Sequence, residues 1–311
     1  MTTRRRFIKQ SLIGTAAISL PIVSSCTAQR VHAPKISLAQ WSLNRAFRKG
    51  ELQAIDFAAI TRKDYGLDAV EYVNSFYAEN KNNQAFWADM QNRAEGEGVE
   101  SLLIMVDAEG ELGNANDAIR LQAVDNHKTW VDIAAQLGCH SIRVNAFGDA
   151  DRAIIKRALV DGLGRLCEYS ETADIHVIIE NHGLYSSDAD FVIEVVQEIN
   201  NPYMGTLPDF GNWCTSVQWG GTRDDSCEYI YDLAKGVELF MPYAKGVSAK
   251  TYDFNEAGGQ DRIDYINLLQ IVKNHNYSGY IGIEYEGENL SEPDGIKATQ
   301  NLIERTWSQL V

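Results

Sequence analysis

The segment HVIIENHG, residues 176–183, carries the pattern that decides the fold. Three β-branched residues, Val177–Ile179, are followed at once by a carboxylate, an amide, an imidazole and a glycine. A short apolar run bounded by polar residues is typical of a strand that is buried on both faces in a parallel sheet. Because side chains alternate along a strand, Glu180 and His182 share the face of Ile178. A buried carboxylate at a strand end is costly unless it pairs with a cation or binds a metal, and this segment alone leaves both interpretations open.

Strand-like and helix-like segments alternate from residue 35 to the end of the chain. Short apolar segments predict eight strands, at residues 36–40, 69–73, 101–106, 141–144, 175–180, 204–207, 244–249 and 280–284. Apolar residues at helical spacing predict helices over residues 52–65, 83–98, 117–137, 152–173, 188–199 (with Ser187 as N-cap), 229–240, 263–273 and 296–310. Eight β-then-α units without a composition break predict a single (β/α)8 TIM barrel, an architecture of about 250 residues. A doubly wound Rossmann sheet is the alternative, but no GxGxxG motif follows an early strand.

The charge of the chain excludes one class of partner. The formal net charge is −15 over 311 residues, and the first 25 residues carry four basic side chains and no acidic one, so the remainder is more acidic still. Nucleic-acid binding needs a basic surface that neutralises phosphates, which this composition does not supply. We therefore expect no nucleic-acid partner, whereas neutral sugars and cations fit the composition.

The N-terminus predicts export. The segment TRRRFIK, residues 3–9, resembles a twin-arginine export motif, and the apolar stretch 11–25 is shorter than the roughly 20 residues of a membrane span. The segment VSSC, residues 23–26, resembles a bacterial lipobox ending at Cys26. We predict an export signal over residues 1–25, a tether over 26–34 and the barrel over 35–311. The protein would then be periplasmic and would touch the membrane only through a lipid on Cys26. A plain secretory signal cleaved near Ala28 is the alternative.

Four further cysteines form no CxxC pair, which disfavours a zinc ribbon. Cys214 and Cys227 lie in one predicted loop, and export permits a disulfide between them. Spacing does not decide between that disulfide and two free thiols.

Three acidic residues occupy equivalent strand ends. In a TIM barrel the catalytic groups lie at the carboxyl ends of the strands, and strands five, six and eight end at or beside Glu180, Asp209 and Glu284. Three converging carboxylates repel one another unless a cation neutralises them. Oxygen ligands favour Mn, Mg or Co, with Zn still open, so we predict a divalent metal cofactor. Ion pairs with Lys250 and Arg143 and no metal are the alternative.

Four motifs together resemble a known family. IIENHG (178–183), LPDFGN (207–212), GVSAKTYDF (246–254) and GIEYEG (282–287) are similar, in this order, to the xylose-isomerase-like TIM-barrel superfamily of sugar phosphate isomerases and epimerases. The resemblance covers residues 35–311. It implies that a metal is held by Glu180, Asp209, Ser248 and Glu284, although Ser248 stands where the family has histidine. A serine hydroxyl is a feeble ligand, so water or His182 takes that place, or metal binding is weakened.

The resemblance also implies the chemistry. Glu180 and Glu284 would remove and return a proton beside a carbonyl, Lys250 would stabilise the oxyanion, and His182 would contact a hydroxyl or support a ligand. Arg143 and Asn145 would orient hydroxyls. The remaining substrate contacts that we expect are Trp41, Asn212 and Trp213, with Trp219 as a further ring for stacking on the sugar.

The leading prediction is a metal-assisted isomerase or epimerase that acts on a free or oxidised sugar, because sugar phosphates are cytoplasmic. A keto-glycoside lyase with the same base and metal is the first alternative. A non-catalytic carbohydrate-binding lipoprotein is the second. A homo-oligomer is left open, and Gly220 with Gly221 suggests a loop that closes over the site.

Overall fold

Eight parallel strands surround the centre of the computed structural model, which describes residues 33–223 and 226–311. The predicted export signal, Cys26 and most of the predicted tether lie outside the described residues. The strands are β1 (Lys35–Ala39), β2 (Ala69–Val73), β3 (Glu100–Val106), β4 (Ser141–Val144), β5 (His176–Glu180), β6 (Met204–Leu207), β7 (Val247–Thr251) and β8 (Tyr280–Tyr285).

The strands follow one another around a barrel. Their order is β6-β5-β4-β3-β2-β1-β8-β7, and every neighbouring pair in that order is parallel. Between β6 and β7 the contact consists of isolated parallel bridges, Thr206 with Ala244 and Asp209 with Ser248. The structure confirms the predicted single (β/α)8 barrel.

Helices follow the strands and cover the outside of the barrel. Their bounds are α1 (Asn44–Arg48), α2 (Phe57–Tyr65), α3 (Gln84–Glu97), α4 (Asp117–Leu137), α5 (Arg152–Glu171), α6 (Ala189–Ile199), α7 (Leu233–Phe240), α8 (Tyr265–Asn274) and α9 (Glu292–Gln309). The N-cap of α6 is Asp188, whose side chain accepts a hydrogen bond from the Phe191 amide, so the prediction of Ser187 was wrong. The Ser187 hydroxyl instead donates to the Asn212 carbonyl and ties the loop after β6 to the loop after β5. Over the described residues, no helix is long and apolar enough to cross a membrane.

Two apolar layers separate on the two faces of the strands. Ile179 belongs to the large core between the strands and the helices, whereas Ile178 points into the barrel. The inner layer is completed by small and aliphatic side chains from the other strands: Ala39, Val73, Leu103, Met105 and Leu207. This layer blocks the barrel below the strand ends, so the polar side chains at those ends stand above an apolar floor.

Candidate active site

Glu180, Asp209 and Glu284 converge at the carboxyl end of the barrel. Each of the three is buried, and one oxygen atom of each lies within 4.8 Å of one oxygen of both others. Glu180 ends β5, Asp209 follows β6 by two residues, and Glu284 lies in β8. Their clustering follows from the parallel sheet, because the carboxyl ends of all its strands meet at one edge.

Ser248 lies between two of the three carboxylates. Its Oγ is within hydrogen-bond distance of Asp209 Oδ2 and lies 2.9 Å from Glu284 Oε2. A hydroxyl has a single proton to donate, so it satisfies one of these oxygens and leaves the other facing a lone pair. A proton on one carboxyl or a cation beside the pair is needed to relieve this contact.

Lys250 lies two residues after Ser248 in β7, on the same face of the strand, and contributes a buried ammonium group. Its Nζ lies 3.1 Å from Glu286 Oε1 and 3.4 Å from Glu284 Oε1. Burial opposes its charge, but the carboxylates of Asp209 and Glu284 raise the pKa of Lys250 well above its ordinary value. Lys250 is therefore protonated and fixed among acids.

Acidic side chains outnumber basic side chains inside the barrel. Among the described residues, the buried ionisable side chains of the barrel interior are four acids, Glu71, Glu180, Asp209 and Glu284, and two bases, Arg143 and Lys250. Burial raises the pKa of all three clustered acids, most strongly that of Asp209. Arg143 Nε lies 2.8 Å from Glu180 Oε2, but the N–H bond is not directed at this oxygen. Asp107 and Glu286, whose pKa values are lowered, also face Arg143 and Lys250, so the clustered acids hold protons unless a cation takes the place of those protons.

A chain of hydrogen bonds links Arg143 to His182. Arg143 Nη1 donates to Asp107 Oδ1 at 2.7 Å, and Asn145 Nδ2 donates to the same oxygen at 2.7 Å. Asn145 Oδ1 then lies 2.7 Å from His182 Nδ1. An amide oxygen only accepts, so Nδ1 carries the proton and Nε2 keeps its lone pair. Burial and the Arg143 charge lower the pKa of His182 to about 3, which keeps the ring neutral.

A cavity of about 960 Å³ opens above these groups. Among the expected substrate contacts, Trp41, Arg143 and Asn212 line it, as do the catalytic candidates His182, Lys250 and Glu284. Asn212 Nδ2 also donates to Glu180 Oε1 at 3.2 Å. Asn145 does not line the cavity and acts instead through His182.

Trp213 does not reach the cavity. It is fully buried, and its ring packs against Tyr231 and Phe240 in the outer core. The expected stacking of Trp213 on a sugar is therefore wrong, because the side chain points to the face of the barrel wall opposite the site. Trp219, in the same loop, does line the cavity and is 48% exposed.

The loop after β6 is anchored rather than free. Cys214 and Cys227 form a disulfide, which settles the alternative that the sequence left open. A Cβ on Gly183 would lie 2.4 Å from the Val217 carbonyl oxygen, and one on Gly220 would lie 2.5 Å from the Gly183 nitrogen. These glycines permit two backbone segments to touch, and this contact joins the loop after β6 to the loop after β5.

Three further acidic side chains contact the site residues or lie inside the barrel; the sequence places them at predicted strand ends, but no role in the site was assigned to them. Asp107 follows β3 and orders Arg143 and Asn145, and Glu286 pairs with Lys250. Both stand where the strand-end rule would have placed them, since each follows or ends an apolar strand. Glu71 is different, because it lies deep in β2, where its Oε1 accepts a 2.6 Å hydrogen bond from the Ser37 hydroxyl. Its Oε2 has no hydrogen-bond partner among the described residues, and burial raises the pKa of Glu71 to about 7.

The sequence profile of the xylose isomerase-like TIM barrel family matches residues 61–306 of this chain. The chain belongs to this family. The family resemblance of the four strand-end motifs is thus confirmed, and those motifs carry the three converging acids.

Sugar epimerases are among the similar proteins. L-Ribulose-5-phosphate 3-epimerase UlaE of Escherichia coli K12 is 23% identical over 207 residues, which cover 63% of this chain and 67% of that enzyme. The crystal structure of the 3-keto-D-glucoside 4-epimerase YcjR from E. coli superposes with a TM-score of 0.63 at 13% identity, covering 81% of this chain and 94% of that one. A xylose isomerase-like TIM barrel protein from Mycobacterium smegmatis, solved in complex with magnesium, gives a TM-score of 0.63 at 14% identity over 90% of this chain and 99% of that one. At these identities the two solved structures support the fold.

Proposed function

We propose that this protein is a metal-assisted sugar isomerase or epimerase that moves a proton next to a carbonyl of a free or oxidised sugar. The observation that carries the proposal is the convergence of Glu180, Asp209 and Glu284 at the carboxyl end of the barrel, where Glu284 also lines a large cavity. The family match and the similarity to sugar epimerases support the reaction class.

The donor set fits a hard divalent cation. Glu180, Asp209 and Glu284 supply carboxylate oxygens, and Ser248 supplies a hydroxyl beside two of them. Glu180 Oε2 is buried and, within the described part of the chain, accepts no hydrogen bond. Oxygen ligands of this kind suit Mg, Mn or Co better than the nitrogen and sulfur ligands typical of Zn, and the magnesium complex of the M. smegmatis protein agrees with that choice.

The side chains around this centre have distinct roles in the proposed reaction. When bound, the cation polarises the carbonyl and makes the adjacent C–H bond more acidic. Glu180 comes from β5 and Glu284 from β8 at the same end of the barrel, so in the proposed reaction one removes the proton and the other returns it to the opposite face. Lys250, kept protonated, stabilises the developing oxyanion, and Nε2 of neutral His182 accepts a hydrogen bond from a substrate hydroxyl.

The proposed substrate is an uncharged sugar. Asp107 and Glu286, whose pKa values are lowered, already pair with Arg143 and Lys250, so neither of these two bases is left unpaired to attract a phosphate. The UlaE enzyme acts on a sugar phosphate, as its name states, and the proposal departs from it on this point.

The proposal includes export to the periplasm, with an optional lipid anchor on Cys26. The twin-arginine-like motif and the lipobox-like motif support it. The Cys214–Cys227 disulfide supports it independently, because disulfides persist in oxidising compartments and are rare in the cytosol. Cell fractionation of the wild type and Cys26→Ser tests it, and recovery of both in the cytosolic fraction contradicts it.

Metal content and proton exchange test the reaction. We expect about one divalent ion per purified chain after manganese loading, and we expect Asp209→Asn to lose it. Incubation of keto-sugars in D2O with the loaded wild type should place deuterium next to the carbonyl, and Glu180→Gln should abolish this exchange. The matched control is Glu256→Gln on an exposed loop, which should retain both the ion and the exchange.

Each outcome separates the alternatives. Sugar binding without exchange in the wild type indicates a carbohydrate-binding protein. An unsaturated product with loss of the aglycone, formed from a keto-glycoside, indicates the lyase. A wild type that takes up no ion overturns the metal-assisted mechanism.

A further inference from the structure

The cavity is larger than a single sugar ring requires. At about 960 Å³ it lies near the upper end of the roughly 300–1,000 Å³ that small-molecule sites span. Of the three converging acids, Glu284 lines this cavity, together with Trp219 and Asp253 from the loops. The substrate therefore has room for a second group beyond the reacting ring.

Two tryptophans, Trp41 and Trp219, line the cavity, and they differ in how far neighbouring side chains cover their rings. The guanidinium of Arg48 lies 4.7 Å from the centre of the Trp41 ring, and Phe76 packs against the same ring with its centroid 6.2 Å away. Trp41 is thereby engaged by a cation and by another aromatic side chain. Trp219 contacts its aromatic neighbours edge to face and remains 48% exposed, which leaves ring surface open toward the cavity.

Trp219 is held in a strained conformation. Its φ is 72°, in the left-handed region that a bulky residue rarely adopts. The loop around it is fixed by the Cys214–Cys227 disulfide and by a bridge between Gly183 and Gln218. A residue kept in such a conformation by the surrounding contacts is typical of a site for a ligand, since the ring is placed before binding occurs.

The His182 ring lies between Trp219 and the carboxylate of Glu180. The Trp219 ring centre lies 5.0 Å from that of His182, and His182 Nδ1 lies 4.0 Å from Glu180 Oε2. A group stacked on Trp219 is therefore adjacent to a sugar ring that lies over the carboxylates.

We propose that Trp219 forms a second subsite, on which the aglycone or second sugar ring of a glycoside stacks while the reacting ring lies against Glu180 and Glu284. The inference rests on the proposed function, because the reacting ring is placed by the acids assigned there. It narrows the substrate class from free sugars to glycosides, and it assigns specificity to a residue that does not take part in proton transfer.

Paired glycosides test the subsite by calorimetry. The probes are the methyl and phenyl glycosides of D-glucose and D-galactose, in both anomers, titrated into the manganese-loaded full-length protein. For at least one pair we expect the phenyl glycoside to bind roughly 2- to 12-fold more tightly than the methyl glycoside, which is the effect of one aromatic stacking contact. In Trp219→Ala this ratio should fall to about one while the methyl glycoside keeps its affinity, and Trp219→Phe should restore most of the ratio.

Two controls keep the result interpretable. Trp41→Ala should preserve the ratio of phenyl to methyl affinity, whatever it does to both affinities. Thermal unfolding of each variant establishes that it is folded. A ratio that survives in folded Trp219→Ala overturns the subsite, and so does a wild type that binds phenyl and methyl glycosides equally or binds neither.

The failure of the subsite and the failure of the proposed function give different results. Deuterium exchange into free keto-sugars that depends on Glu180, without a phenyl preference, leaves the enzyme and removes the subsite. A phenyl preference that depends on Trp219, with no exchange for any sugar or glycoside, leaves the subsite in a protein that binds glycosides without turning them over.

Discussion

Glu71 gives a stability prediction that follows from its burial alone. The carboxyl lies inside the barrel with one oxygen bonded to Ser37, and burial raises its pKa from 4.5 to about 7. The folded state therefore holds a proton that the unfolded state has already lost between these two values, so stability falls as pH rises through this window. The difference corresponds to about 3 kcal/mol of unfolding free energy, lost in full above pH 7.

Glu71→Gln should remove this loss. Glutamine keeps an oxygen for the Ser37 hydroxyl and carries no charge at any pH. Urea unfolding with a chelator present, near pH 4.5 and near pH 8, measures the gap in unfolding free energy between wild type and variant. Relative to the wild type, we expect the variant to be about 3 kcal/mol more stable at the higher pH than it is at the lower pH. Glu256→Gln, on the surface, should show no such change. A gap that stays constant between the two pH values, or that moves in favour of the wild type, refutes the reasoning.

Three further predictions concern packing, the disulfide and the histidine. Gly282→Ala should lower the free energy of unfolding by roughly 1–3 kcal/mol, because its Cβ would lie 2.5 Å from Glu71 Oε1. Gly164→Ala in α5 is the control, since its Cβ meets nothing within 4 Å, and it should raise the free energy of unfolding by about 0.5–1 kcal/mol. Equal urea midpoints for the two variants would contradict this prediction. Replacing Cys214 and Cys227 together by serine should cost about 3 kcal/mol, given their separation of 13 residues, and a reducing agent should then lower the thermal midpoint of the wild type but not of the variant. Asn145→Asp should raise the pKa of His182 from about 3 by at least about one pH unit, because a carboxylate would face its Nδ1–H; an unchanged titration of the ring protons in NMR spectra would count against the hydrogen-bond chain.

The sequence predicted those features that depend on local pattern. The strands Ala69–Val73, Ser141–Val144 and Met204–Leu207 and the helix Asp117–Leu137 have the predicted bounds, because each is a short apolar run or a regular amphipathic segment with clear ends. The convergence of the three acids followed from the same pattern. A strand-end position is local information, and a parallel barrel brings all strand ends to one edge.

Long-range contacts set the features that the sequence did not predict. A helix was predicted from residue 229, but α7 begins at Leu233, since residues 229–231 pair with the chain around Cys214 instead. Trp213 was assigned to the site, but its ring packs between α7 and the barrel, with a Cβ on Gly236 excluded by that ring. The direction of the Trp213 side chain depends on where the loop of 25 residues between β6 and α7 returns to the barrel. No local sequence pattern encodes that path.

The serine at position 248 would weaken the proposed metal site less than the loss of a histidine ligand suggests. A histidine ligand is neutral, so exchanging it for serine removes a donor atom without changing the charge of the site. In the proposed site the carboxylates of Glu180, Asp209 and Glu284 would attract the divalent cation, and they are the same with either residue at position 248. Serine in place of histidine should therefore weaken metal binding and shift the preference toward ions that favour oxygen ligands, because the nitrogen donor that favours zinc is gone. Ser248→His should accordingly raise zinc affinity more than manganese affinity, as competition between the two metals for the purified protein will measure; a larger gain for manganese would contradict the argument from donor type.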